Sequence, residues 1–83
     1  MVEVVWTDTF KDEVQKVRDN AVKERVKKQI EKVINNPKIG KPLRFDSKGE
    51  RTRYIKPYRL IYSISGETIY LLRFEHRKEV YHD

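Results

Sequence analysis

The stretch "RTRYIKPYRLIYSI", residues 51–64, places Arg51, Arg53, Lys56 and Arg59 within nine positions and contains no acid. Guanidinium groups hold phosphate oxygens in bidentate forks and stabilise charge that develops on a phosphate under attack. A second group of reactive side chains closes the chain, where "HRKEVYHD" supplies His76, Arg77, Lys78, Tyr81 and His82. Imidazole exchanges protons near neutrality, and a phenol can stack on a nucleobase or donate a proton. These residue types point to phosphate recognition. Lys41, Arg44 and Lys48 extend the basic run, so residues 41–59 carry seven cations against Asp46 and Glu50. That surplus of five is nearly the whole net charge of +6, and it calls for a polyanionic or acidic partner.

Other chemistries are poorly provided for. The chain has no cysteine, its acids are scattered, and its two histidines lie six apart near the end. No disulfide, metal site or cofactor is expected from such a set. A P-loop, a zinc-protease motif, a Gly-rich dinucleotide fingerprint and a nucleophile elbow are all missing from the sequence. No apolar run is long enough to span a bilayer, and "MVEVVWTDTF" lacks the layout of a signal peptide, so a cytoplasmic location without membrane association is expected.

The elements that position these residues follow from periodicity. "VEVVW", residues 2–6, reads as a first strand. Thr7, Asp8 or Thr9 caps a helix in which Phe10, Val14 and Val17 share one face. A second helix runs from about Ala21 to Asn35, with Val22, Val26, Ile30, Val33 and Ile34 as its apolar stripe. Asn35-Asn36-Pro37 stops it, and Gly40 and Pro42 suggest an irregular passage. Three strands follow at about 50–56, 58–65 and 67–74, joined by tight turns at Lys56-Pro57 and Ser65-Gly66. Residues 1–83 thus form a single α+β domain of order β-α-α-β-β-β. A mostly antiparallel four-stranded sheet with a two-helix hairpin on one face is the economical architecture.

Alternation along the third strand sets Tyr58, Leu60, Tyr62 and Ile64 towards the helices and Arg59 on the open face. If the register aligns them, Arg51, Arg53 and Arg59 converge there. The competing expectation is that each cation is spent on Glu50, Glu75 or Glu79 in a surface ion pair.

Element order, "NNPKIGKPL" after the second helix, "YRLIY" in the third strand and "HRKEVY" near the end together resemble the RelE/ParE toxin superfamily. The resemblance spans nearly the whole chain and leans to the RelE side. It implies a toxin–antitoxin system toxin that cleaves mRNA in the ribosomal A site, without a metal, by attack of a 2′-OH on the adjacent phosphate. Translation is inhibited as a result. Arg51, Arg53, Arg59, Arg77 and Tyr81 would be the catalytic set; Lys41, Arg44, Lys48, Lys56, His76 and Lys78 would contact RNA. The implied partners are the ribosome, mRNA and an acidic RelB-like antitoxin, with the toxin monomeric alone and hetero-oligomeric with the antitoxin. A ParE-like DNA gyrase inhibitor and a non-catalytic RNA- or ribosome-binding relative are the alternatives. One departure bears on mechanism: arginine stands where some relatives have a lysine that takes a proton, and a guanidinium remains protonated. Lys56, His76 or solvent is left to accept it.

Overall fold

A computed structural model describes residues 2–43 and 49–76. Strand β1 (Glu3–Trp6) leads into helix α1 (Asp8–Gln15), helix α2 (Asn20–Asn35) and a 3-10 turn at Pro37–Ile39. Four further strands follow: β2 (Lys41–Pro42), β3 (Glu50–Ile55), β4 (Tyr58–Ser65) and β5 (Thr68–His76).

Local chemistry fixes the helix ends. The Thr7 hydroxyl accepts the Phe10 N–H at 3.2 Å and donates to the Leu71 carbonyl at 2.7 Å, so the cap of α1 also ties it to β5. The Asp19 carboxylate accepts the Ala21 N–H at 2.9 Å and starts α2. Val22, Val26, Ile30 and Val33 are buried along one stripe of α2, as their spacing requires. They meet Phe10 from α1, Val17 just beyond it, and Ile55, Leu60, Tyr62, Ile69, Leu71 and Phe74 from the sheet. Both helices therefore lie against the same sheet face.

The sheet has five strands rather than the expected four, in the order β1-β5-β4-β3-β2. The extra one is Lys41–Pro42, which pairs antiparallel with Thr52 and Arg51 despite its proline. An edge strand tolerates proline because the missing N–H is not needed by a second neighbour. The sheet is also mixed: β1 runs parallel to β5, from Glu3 opposite Thr68 to Trp6 opposite Leu71. The remaining pairs are antiparallel.

Two registers decide which side chains face which way. The Lys56-Pro57 turn sets Ile55 opposite Tyr58, and hence Arg53 opposite Leu60 and Arg51 opposite Tyr62. Directly paired residues share a face of the sheet. Leu60 and Tyr62 belong to the core, so Arg51 and Arg53 lie on the helix side. In β5 the pairing slips by one residue: Tyr62 faces Leu71, but Ile61 faces Arg73, which leaves Leu72 as the extra residue of a bulge. Ile69 and Leu71 point to the core before it, and Phe74 does so after it. The bulge thus turns Arg73 and Glu75 to the helix-free face.

Candidate functional site

Across the helix-free face, Tyr54, Arg59 and Glu75 form a row, one residue from each of β3, β4 and β5. Arg59 Nε donates to Glu75 Oε1 at 3.4 Å, with both side chains more than four-fifths buried. Glu75 Oε2 lies 3.1 Å from Arg73 NH2. Arg73 in turn binds Glu13 of α1, with NH2 3.0 Å from Oε2. The hydrogen bond to Glu13 raises the Arg73 pKa above its ordinary value, so this guanidinium is fixed in its charged form.

Glu13 reaches this place for a structural reason. β1 ends opposite Leu71, so the outer edge of β5 loses its strand partner beyond that point. Glu13 Oε1 accepts the Phe74 N–H on that edge at 2.7 Å. The result is a continuous chain of alternating charge: Glu13, Arg73, Glu75, Arg59. Beside it opens a cleft of about 450 Å³ lined by Glu13, Lys16, Val17, Tyr58, Arg73, Phe74, Glu75 and His76. Tyr54 is 45% exposed at the other end of the row. In the adjoining row, Lys41, Thr52 and Ile61 lie side by side across β2, β3 and β4. Lys41 is exposed, whereas Thr52 is buried and its hydroxyl has no hydrogen-bond partner among the described residues.

The expected convergence of Arg51, Arg53 and Arg59 does not occur. Arg51 NH1 donates to the carbonyls of Gly40 at 2.7 Å and Lys38 at 3.2 Å. Arg53 Nε donates to Gln29 Oε1 of α2 at 2.9 Å. Both are braces of β3: Arg51 ties it to the segment that leads from α2 to β2, and Arg53 ties it to α2 itself. Their charges are felt at Tyr62, whose pKa burial raises above the ordinary phenol value while the Gly40 hydrogen bond and the Arg51 and Arg53 charges oppose the rise. The Tyr62 hydroxyl donates to the Pro37 carbonyl at 2.7 Å and accepts the Gly40 N–H at 2.9 Å. A Cβ at position 40 would stand 2.5 Å from that hydroxyl, so the close approach demands glycine.

The other expected residues divide in the same way. Lys56 sits exposed at the β3–β4 turn, and its carbonyl accepts from Arg25 NH1 at 3.0 Å. His76 is part of β5 rather than of a tail beyond it, and it pairs with Tyr58 on the helix side. There its ring meets Tyr58 edge-on, with centroids 5.2 Å apart. Arg44, Lys48, Arg77, Lys78 and Tyr81 lie outside the described residues, as does Glu79. Among the described residues no group of three or more His, Asp or Glu is arranged to hold a metal ion, and no helix is long and apolar enough to cross a membrane.

Arg73, Glu75 and Tyr54 were not singled out as site residues from the sequence. A signal existed in the spacing of Ile69, Leu71 and Phe74, whose two-then-three step breaks strand alternation and marks the bulge.

Residues 4–81 match the model of the ParE toxin of the type II toxin–antitoxin system parDE. The chain belongs to this toxin family. Among solved structures, it is similar to the toxin–antitoxin complex RelBE2 from Mycobacterium tuberculosis, with 28% identity, a TM-score of 0.75, and coverage of 92% of this chain and 98% of the other. The RelB–RelE complex from Methanococcus jannaschii aligns at 24% identity and a TM-score of 0.77, covering 93% and 94% of the two chains. The intact RelBE complex from E. coli aligns at 21% identity and a TM-score of 0.79, covering 92% and 96%. The last two likenesses establish the fold. No curated protein matches the sequence. The chain is thus the toxin of a type II toxin–antitoxin system, built on the RelE-like fold.

Proposed function

We propose that this toxin is a ribosome-dependent endoribonuclease that cuts mRNA in the A site and thereby inhibits translation. The observation that carries the reading is the row Tyr54–Arg59–Glu75, which joins a phosphate-binding guanidinium to a carboxylate and an exposed ring on the helix-free sheet face. In this reading Arg59 holds the scissile phosphate and stabilises the charge on its oxygens as phosphorus becomes five-coordinate. The 2′-oxygen forms a bond to phosphorus, the bond to the 5′-oxygen breaks, and the products are a 2′,3′-cyclic phosphate and a 5′-hydroxyl. Tyr54 offers a face for a base flanking the cut. Arg77 and Tyr81 keep their proposed roles as a second phosphate contact and a stacking or proton-donating group. Lys41, Arg44, Lys48, Lys56 and Lys78 are proposed contacts to mRNA or ribosomal RNA, with affinity that falls with salt.

The free protein holds Arg59 on Glu75, so a substrate phosphate has to compete for the guanidinium. A ribosome that presses the mRNA into a bent geometry supplies that competition, and this supports dependence on the ribosome. An acidic RelB-like antitoxin is the proposed partner, forming a hetero-oligomer with a toxin that is monomeric alone, and opposite charge speeds their encounter. The structural neighbours that are toxin–antitoxin complexes support such a partner.

One observation favours a second reading. Arg51 and Arg53 are engaged on the helix side, so among the described residues neither adds its charge to the helix-free face. A ParE-like inhibitor of DNA gyrase, which binds a protein, has no need of them. Purified toxin incubated with programmed ribosomes separates the two. Cleavage within the A-site codon supports the nuclease; intact mRNA together with gyrase trapped on linearised DNA overturns it.

A further inference from the structure

We propose that Glu75 is the general base of the cleavage reaction, taking the proton from the attacking 2′-OH; this rests on the nuclease reading. The reaction requires an acceptor within hydrogen-bond reach of the 2′-oxygen, adjacent to the group that holds the phosphate. Arg51 and Arg53 are unsuitable on two grounds: a guanidinium does not give up its proton, and both point to the helices. His76 lines the same cleft but pairs with Tyr58 rather than standing in the row with Arg59, and Lys56 stands at the turn. Glu75 is the one described carboxylate in direct contact with Arg59.

Its surroundings suit the task. One oxygen contacts Arg59 from β4, and the other contacts Arg73 from β5, which Glu13 of α1 holds in turn. When Arg59 turns to a phosphate, Arg73 still anchors the carboxylate, and Oε1 is released to accept a proton. The cleft beside Glu75 gives the ribose a way in, with Lys16, Tyr58 and His76 as the other ionisable groups on its wall. The proton moves from the 2′-OH to Oε1 as the bond to phosphorus forms. A separate donor or water protonates the departing 5′-oxygen.

The decisive comparison is Glu75→Gln, which keeps the shape and an accepting oxygen for Arg59 but lacks basicity. Single-turnover cleavage on programmed ribosomes is measured from acid to alkaline pH for wild type, Glu75→Gln and Glu75→Asp. General-base loss predicts a rate lower by about 10²–10⁴-fold, the range for such catalysis, and loss of the acid limb of the pH profile. The aspartate variant should retain that limb at reduced rate. Unchanged binding to the antitoxin and unchanged circular dichroism certify the fold. Wild-type cleavage with an equal rate and pH profile in Glu75→Gln overturns the proposal and leaves the nuclease reading standing. A wild type that never cuts overturns both.

Discussion

Tyr54 and Arg59 stand opposite each other on neighbouring strands, while Arg53, the residue before Tyr54, projects through the other face and donates to Gln29 Oε1 at 2.9 Å. Two arginines of one hairpin therefore have unrelated duties. Arg53 fastens β3 to α2, and Arg59 serves the open face. Substitution can tell them apart.

Arg59→Ala should abolish growth arrest, with cleavage slowed by about 10²–10³-fold, the usual loss when one transition-state donor is removed. Arg73 still holds Glu75 in this variant, so no buried charge is abandoned and the fold should survive. Toxicity on expression, checked against antitoxin binding, measures the outcome. Undiminished arrest would remove Arg59 from the mechanism.

Arg51→Ala should behave in the opposite way. It deletes hydrogen bonds from a guanidinium to the Gly40 and Lys38 carbonyls, at a cost of about 1–2 kcal/mol after allowance for solvent screening. Chemical denaturation should show a lower midpoint. Cleavage, measured below the melting range, should change by less than about tenfold, the equivalent of roughly 1.4 kcal/mol.

Tyr62→Phe tests the buried hydroxyl. The Gly40 N–H and the Pro37 carbonyl lose their partner, for a predicted loss of about 1–3 kcal/mol. The pH dependence has a definite sign. Burial raises the folded-state pKa, so above the unfolded value, near 10, the unfolded chain releases the phenolic proton first. Stability due to Tyr62 is complete below that pH and falls as pH rises towards the folded value. The phenylalanine variant should lack this alkaline decline in a melting-temperature series.

Thr52→Val should stabilise the protein. The Thr52 hydroxyl is buried without a hydrogen bond among the described residues, and valine has nearly the same shape with no polar atom to desolvate. A gain of up to about 1 kcal/mol is expected. A drop in stability instead would mean that the hydroxyl has a partner in solution.

Much of this architecture was legible in advance. Both helices, the stripe from Val22 to Val33, the Lys56-Pro57 turn and the core set Leu60 and Tyr62 follow from spacing and turn chemistry. The arginine convergence failed on a point that the sequence already contained. A two-residue turn pairs odd positions of one strand with even positions of the next, so odd-numbered Arg51 and Arg53 cannot share a face with odd-numbered Arg59. Cation density suggested a single patch, and register divided it. The β2 pairing was harder to read, because two residues containing a proline give no periodic signal. Charge alone marks Glu75 only as an ion-pair partner, since its place beside Arg59 depends on a one-residue slip at Leu72.

That slip has a consequence for inheritance. Loss of the single codon for Leu72 would place Arg73 directly after Leu71, so strict alternation would keep Arg73 and Glu75 on the helix-free face and Phe74 in the core. A lineage could thus shed Leu72 without moving one charged residue to the other face.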